Sequence, residues 1–325
     1  MRPKIGMFDS GVGGLTVARA VRERLPQSPL IYFGDTARAP YGGRNKEELR
    51  VFGQEIVGFL MSRKVDVVVV ACNTSSAHVL DELRQMCSVP VIGMIDAAIA
   101  LAGRRAPGKR VGLLATEATV ASCAFERRAM LWNEGRPETE KLVWTVAQPC
   151  PRFVPLVEAG LSDSAEALAA AQVYGEAILR TGTEAVILGC THYPFLRGVL
   201  RACLGPDVLL LDPADEVAKF VVRETGEAAI GEVRDPKFEV REAVGEVRGS
   251  KFEVREAGEE AGGADAPLSD EVMAARARGE CPGAQYYVSG SAELFWQAGR
   301  VLMGEGFERQ MVRQWPLDSV VDKTD

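Results

Sequence analysis

The chain reads as an α/β protein made of two similar parallel-sheet halves related by pseudo-symmetry, with a site in the cleft between them. Three observations predict this. Near-continuously apolar, β-branched runs alternate with longer segments whose apolar residues recur at helical spacing. Strands without polar alternation are buried on both faces, as in parallel sheets covered by helices. The runs also form two matching sets, and in each the third run leads straight into a cysteine, Cys72 or Cys190.

The first set of predicted strands is 4–8, 30–33, 66–71 and 90–93, and the second is 110–114, 142–146, 184–188 and 208–211. Residues 45–63 and 164–180 are long enough for helices. The first strand of each set ends in small polar residues, Asp9-Ser10 in one and Thr116 with Thr119 in the other. Residues 286–289 read as a further strand and 292–303 as a closing helix. Ligands of open parallel sheets bind beyond the carboxyl ends of the strands. Two such halves facing each other therefore place Cys72 and Cys190 on opposite walls of one cleft.

Between 231 and 258 lies a tandem repeat of another kind. Gly231-Glu-Val-Arg-Asp-Pro-Lys-Phe-Glu-Val-Arg-Glu-Ala-Val244 is followed at once by Gly245-Glu-Val-Arg-Gly-Ser-Lys-Phe-Glu-Val-Arg-Glu-Ala-Gly258. Two units are too few for a solenoid. A duplicated insert reaching to 267, whose end is a Gly- and Ala-rich linker, is the expected reading, with each copy a small hairpin in a surface loop.

Composition excludes several classes. The 325 residues are 47% hydrophobic and 26% charged, enough for one large domain or two medium ones. Thirty-eight Lys and Arg against forty-five Asp and Glu leave a net charge of -7, opposite to the basic surplus of a general nucleic-acid binder. No apolar run approaches a membrane span, and Asp9 interrupts the N-terminus before a signal-peptide core forms, so a cytoplasmic protein is expected. Seven cysteines, an odd number without C-x-x-C, argue against a disulfide framework or a zinc ribbon. Two histidines, His78 and His192, leave little for a metal centre, and none is expected.

Each candidate residue has a plainer alternative. A lone cysteine after a valine strand is more often a small buried hydrophobe. At a helix start, however, unpaired N–H groups and the helix dipole favour thiolate. The second cysteine, with the same strand-to-helix placement and followed by Thr191-His192, shifts the balance towards an acid and a base on opposite sides of one substrate carbon. Cys87, Cys123, Cys150, Cys203 and Cys281 lack this context and default to structural roles. His192 is either a satisfied core histidine or, two residues from a reactive thiol, a proton-transfer partner. Asp9, at a strand tip, is a cap more often than a catalyst.

The turn Gly11-Val-Gly-Gly14 is not a dinucleotide fingerprint, because Thr16 stands where the third glycine is needed. Its glycines are read as allowing close backbone approach to a small ligand, with N–H groups available for a carboxylate. The segment 32–42 is either a Pro- and Gly-shaped turn or a loop in which Tyr41 and nearby amides close over a ligand. Composition does not choose between the two.

Four stretches in order resemble the glutamate racemases, of the cofactor-independent aspartate/glutamate racemase superfamily. They are Phe8-Asp-Ser-Gly-Val-Gly-Gly-Leu15, Tyr32-Phe-Gly-Asp-Thr-Ala-Arg-Ala-Pro-Tyr-Gly42, Ala71-Cys-Asn-Thr-Ser-Ser-Ala77 and Gly189-Cys-Thr-His-Tyr-Pro-Phe-Leu196. The resemblance runs to about residue 228 and resumes near Gln285; the repeat between lies outside the family pattern. It implies one α/β domain from 1–96 plus 207–325 and a second from 97–206. It also implies interconversion of L- and D-glutamate without a cofactor, for peptidoglycan synthesis, by a protein that is commonly a homodimer. The thiol matching Cys72 would take the proton from D-glutamate and that matching Cys190 from L-glutamate. Asp9 would assist the first, His192 the second, and Glu158 would stand near the histidine. Asp9, Ser10, Tyr41, Gly42, Asn73, Thr74, Thr191 and His192 would hold substrate, with Thr116 and Thr119 near its carboxylates. Some members carry an N-terminal extension tied to activation by a cell-wall precursor; with the first strand at residue 4, no such activation is expected. A change of substrate to aspartate, one methylene shorter, is not excluded by these residues.

Overall fold

A computed structural model describes residues 2–226, 283–303 and 307–315. The expected repeat at 231–258, its linker and Cys281 lie outside the described residues. The strands are β1 (Ile5–Asp9), β2 (Leu30–Gly34), β3 (Val67–Val70), β4 (Val91–Gly93), β5 (Arg110–Ala115), β6 (Val143–Pro149), β7 (Ala185–Gly189), β8 (Leu209–Leu211), β9 (Ala284–Val288) and β10 (Val312–Gln314). The helices that bear on the site are α1 (Leu15–Arg24), α2 (Lys46–Ser62), α3 (Asn73–His78), α4 (Leu80–Met86), α5 (Met94–Arg105), α6 (Glu117–Ala121), α7 (Ala124–Asn133), α8 (Phe153–Glu158), α9 (Ala165–Arg180), α10 (Arg197–Leu204), α11 (Ala214–Thr225) and α12 (Ala292–Met303).

Two sheets form, ordered β10-β9-β2-β1-β3-β4 and β6-β5-β7-β8, and every strand pair is parallel. The order β2-β1-β3-β4 in one is the order β6-β5-β7-β8 in the other, which is the similarity of halves anticipated from the two sets of runs. Side chains alternate faces along a strand, so a run of four valines supplies two cores. Val67 and Val69 pack with Ile5 and Met7 on one face of the first sheet, and Val68 and Val70 pack with Phe8 on the other. In β7, Val186 and Leu188 enter one core of the second sheet while Ala185 and Ile187 enter the other. The two predicted long helices begin at side-chain caps. Asn45 Oδ1 accepts the Glu48 N–H at 2.9 Å in a capping box, and Ser164 Oγ accepts the Ala167 N–H at 3.1 Å.

Two segments join the halves near the expected domain boundaries. Residue 97 falls inside α5, and that helix belongs to both halves: Met94, Ala97 and Ala100 sit in a core of the first sheet, Ile95, Ala98, Ile99 and Ala102 in a core of the second. The small residues let two layers approach one helix, so the division runs along α5 rather than across it. The second segment follows 206–207, where the return to the first half is expected. β8 pairs with β7 in the second sheet, and only after Leu211 does the chain go back, α11 placing Val217, Ala218 and Val221 in the first half's core. Strand β6 also extends to Pro149, three residues past its expected end, and β10 was not anticipated at all. No helix among the described residues is long and apolar enough to cross a membrane.

Gly103 in α5 shows how tightly the shared helix is packed. A Cβ there would lie 2.0 Å from Cζ2 of Trp132, an indole seated against cores of both halves. Gly103→Ala gains about 1 kcal/mol of helix propensity, but overpacking against the indole should cost about 1–3 kcal/mol. A net fall in the urea unfolding midpoint is expected; a rise would show that the indole has room to move.

Candidate active site

The carboxyl ends of β1 and β3 in one half face those of β5, β6 and β7 in the other, and a cavity of about 250 Å³ lies between them. Its walls include Cys72, Asn73 and Thr74 on one side and Cys190, Thr191 and His192 on the other. Both cysteines therefore line a single space, Cys190 directly after β7 and Cys72 two residues past the end of β3. Cys72 is the N-cap of α3, and a 3-10 turn, Tyr193–Leu196, follows His192.

The two thiols have unlike surroundings. Burial pushes the Cys72 pKa up, and the nearby negative charge of Asp9 raises it further, to about 12, although the N–H and hydroxyl of Ser75 act the other way. In the empty cavity Cys72 is a thiol. Cys190 Sγ stands 3.7 Å from His192 Nδ1, and Glu158 Oε1 is 3.3 Å from His192 Nε2, at ion-pair distance. Burial of His192 opposes its charge, but the Cys190 sulfur and then Glu158 outweigh it, and the imidazole pKa rises from 6.5 to about 10. A negative charge on the Cys190 sulfur thus has a cation beside it.

Asp9 is fully buried and its carboxylate is already engaged. Oδ2 accepts the N–H groups of Gly11 (3.1 Å) and Gly14 (3.0 Å), and Oδ1 accepts the Thr191 hydroxyl at 3.4 Å from the opposite half. This revises the reading of the glycine turn. Two of its amides hold the protein's own carboxylate, and the close approach they permit is to the other half: a Cβ on Gly13 would fall 2.5 Å from Thr191 Oγ1 and 2.7 Å from His192 Nδ1.

Most other expected residues meet at the cavity. Ser10, Tyr41, Gly42, Asn73, Thr74, Thr116, Glu158, Thr191 and His192 line it, whereas Asp9 and Thr119 stand behind the wall. Thr119 reaches it through hydroxyl contacts: Thr74 Oγ1 is 3.0 Å from Thr116 Oγ1 and 3.3 Å from Thr119 Oγ1, and the latter two are 2.9 Å apart. Thr116 also caps α6. The Asn73 side chain is buried, and among the described residues neither its Oδ1 nor its Nδ2 has a partner. A buried amide without partners costs free energy unless a ligand completes it. Tyr41 gives its hydroxyl to Asp35, so it presents its ring and backbone to the cavity rather than a free phenol. His78, by contrast, pairs its Nε2 with the Ala118 carbonyl at 2.9 Å and does not line the cavity.

Sequence reasoning missed part of the second half's wall, formed by Cys150, Pro151, Val154 and Pro155. Cys150 had been assigned a structural role. It follows directly on β6, at the strand-tip position that singled out the other two cysteines, and ending that strand at 146 concealed it.

A fold of two facing parallel-sheet α/β halves, with cysteines of both lining a common cavity, defines a protein of the cleft-site α/β class. The Asp/Glu/hydantoin racemase family model matches residues 15–221, and the chain belongs to that family. It is 47% identical over 210 residues to the glutamate racemase of Desulforudis audaxviator, covering 65% of this chain and 74% of that one. The crystal structure of glutamate racemase from Thermus thermophilus in complex with β-chloro-D-alanine superposes with a TM-score of 0.67 at 36% identity, covering 98% of each chain. That of the Francisella tularensis enzyme in complex with D-glutamate gives 0.72 at 27% identity, again over 98% of each. The expected resemblance to the glutamate racemases is borne out, and the chain is an isomerase of this family.

The His192 environment predicts a pH response. Its folded pKa lies above the unfolded value of 6.5, so its contribution to stability is complete below about 6.5 and disappears as pH rises through about 10. With only two histidines in the chain, imidazole NMR can follow it directly. One ring should remain protonated at pH 8, and Cys190→Ala should return that ring towards ordinary titration. A ring neutral at pH 7 in the parent protein would contradict the assignment.

Proposed function

We propose that the protein interconverts L- and D-glutamate by direct proton transfer at Cα between Cys190 and Cys72, with no added cofactor. The observation that carries this reading is that both cysteines, from similar strand tips, line one cavity. The relatives named as glutamate racemases, one of them holding D-glutamate, supply the substrate.

From L-glutamate, the Cys190 sulfur takes the α-proton with the His192 cation beside it, and the Cys72 thiol delivers its own proton to the opposite face. The product leaves with Cys190 as thiol and Cys72 as thiolate, and the D-to-L direction runs the same transfers backwards. Asp9 holds the glycine turn and, through the Thr191 hydroxyl, the far wall. Its negative charge raises the affinity of Cys72 for a proton, which suits a residue that must present a thiol to one enantiomer and reclaim the proton afterwards. Glu158 supports the imidazolium. The central difficulty is the weak acidity of the α-proton. Hydrogen-bond donors aimed at the α-carboxylate, where negative charge develops, meet it: the Asn73 amide, the Thr74, Thr116 and Thr191 hydroxyls, and the amides at the start of α3. Thr119 supports two of those hydroxyls from behind. Ser10, Tyr41 and Gly42 close the remaining side. In the cell, a cytoplasmic homodimer would supply D-glutamate for peptidoglycan.

Racemisation by purified, cofactor-free protein is read by circular dichroism from either enantiomer, with aspartate as competitor. Cys72→Ala and Cys190→Ala should each lower kcat by at least about a thousandfold, because a proton donor or acceptor acting in the transition state is removed outright. In deuterated water the product enantiomer should carry deuterium at Cα. Full activity in either variant ends the two-thiol reading, and faster turnover of aspartate would change the substrate. Deleting residues 231–258 should leave racemisation intact.

A further inference from the structure

Behind the Tyr41 wall of the cavity lies a buried carboxylate that the proposed reaction does not use. Asp35 follows β2 and is fully buried. Its Oδ1 accepts the Ser289 hydroxyl at 2.6 Å, and its Oδ2 accepts the Tyr41 hydroxyl and Arg38 Nε, the latter at 2.6 Å. Each partner leads somewhere. Tyr41 lines the cavity and opens the 3-10 turn Tyr41–Gly43. Ser289 follows β9, beyond the 227–282 stretch, and its Oγ also accepts the Ala37 N–H at 3.0 Å. Arg38 reaches on to Glu55 of α2, and its guanidinium lies 4.2 Å from the centre of the Phe52 ring, itself 5.6 Å from that of Tyr41.

We propose that Asp35 is the positioning residue for the Tyr41–Gly43 wall of the substrate cavity, clamping that turn to the end of β9 in the first half through Ser289. One carboxylate collects three donors, two from its own loop (Arg38 and Tyr41) and one, Ser289, from 254 positions away. A hydrogen bond to a charged acceptor is among the stronger ones a protein makes. The clamp matters because the turn meets the opposite half without slack: a Cβ on Gly42 would stand 3.1 Å from Thr116 Cβ. Thr116 belongs to the hydroxyl group placed to meet the substrate. Releasing Tyr41 therefore loosens substrate binding while leaving the two sulfurs and their partners in place, and KM changes rather than kcat. A residue that merely stabilised the fold would reduce the amount of active protein and leave KM unmoved.

The kinetic arm of the test rests on the racemase reading; a second arm does not. Asp35→Ala should raise KM for glutamate about tenfold, with kcat within about threefold, as loss of the charge-assisted hydrogen bond that holds Tyr41 implies. Asp35→Asn should recover most of it, since its amide oxygen can face Tyr41 and Arg38 while its NH₂ turns to Ser289. Tyr41→Phe should move KM in the same direction. In substrate-free protein, alkylation of Cys72 and Cys190 by iodoacetamide, followed by mass spectrometry, should speed up severalfold in Asp35→Ala. If Asp35→Ala does not fold, Tyr41→Phe decides by both readouts. KM and alkylation rates within twofold of the parent in folded Asp35→Ala or, failing that, in Tyr41→Phe would overturn the proposal. A parent protein that does not turn over glutamate would instead count against the proposed function, and the alkylation rates would still decide the role of Asp35.

Discussion

The site depends on the close approach of the Gly11–Gly14 turn to Thr191 and His192. Backbone of one half is packed where no side chain fits, directly against the residues that follow the reactive thiol of the other half. Asp9 organises this approach: one carboxylate oxygen holds the turn through two glycine amides, and the other reaches across to Thr191. The helix α5 does the same on a larger scale, lending opposite faces to the cores of the two sheets. The spacing between the two sulfurs is therefore set by packing on either side of the cleft rather than by a single linker.

A symmetric pair of folds encloses an asymmetric pair of thiols. Cys72 has a carboxylate for a neighbour and is held as the neutral acid, whereas Cys190 has an imidazolium, itself supported by Glu158. Two sulfurs at similar strand tips thereby have unlike neighbours, and the proposed division of proton transfer between them rests on that difference. The same separation by environment distinguishes paired carboxylates in other enzymes. Between them the Asn73 amide stands buried and, among the described residues, unpartnered, an arrangement that makes sense when a polar ligand occupies the cavity.

The first half bears the cost of placing a loop at this interface. Tyr41 and Gly42 lie far from any strand pairing, and a turn of this kind has little intrinsic order. Their position comes from Asp35, which draws on Ser289 near the end of the chain and on Arg38 and Glu55 beside it. The cavity wall is thus tied to β9, so a strand from late in the chain takes part in the site without touching it.

Periodicity and strand tips made much of this legible in the sequence. A run such as Val67–Val70 is intelligible only as a strand buried on both faces, and a cysteine at its carboxyl end has to lie where parallel sheets bind ligands. Cys72 and Cys190 and the paired halves followed from that local logic, and the family from the resemblance of four motifs along the chain. Tertiary structure alone decided the rest. No local signal shows that α5 serves two cores, that β8 stays with the second sheet, that the glycine turn meets His192 rather than a ligand, or that Cys150 joins the wall. Strand and helix formation depends on neighbours along the chain, and it is written there. The contacts between Asp9 and Thr191, or Asp35 and Ser289, join residues 182 and 254 positions apart, and they arise only when packing of both sheets brings those positions together.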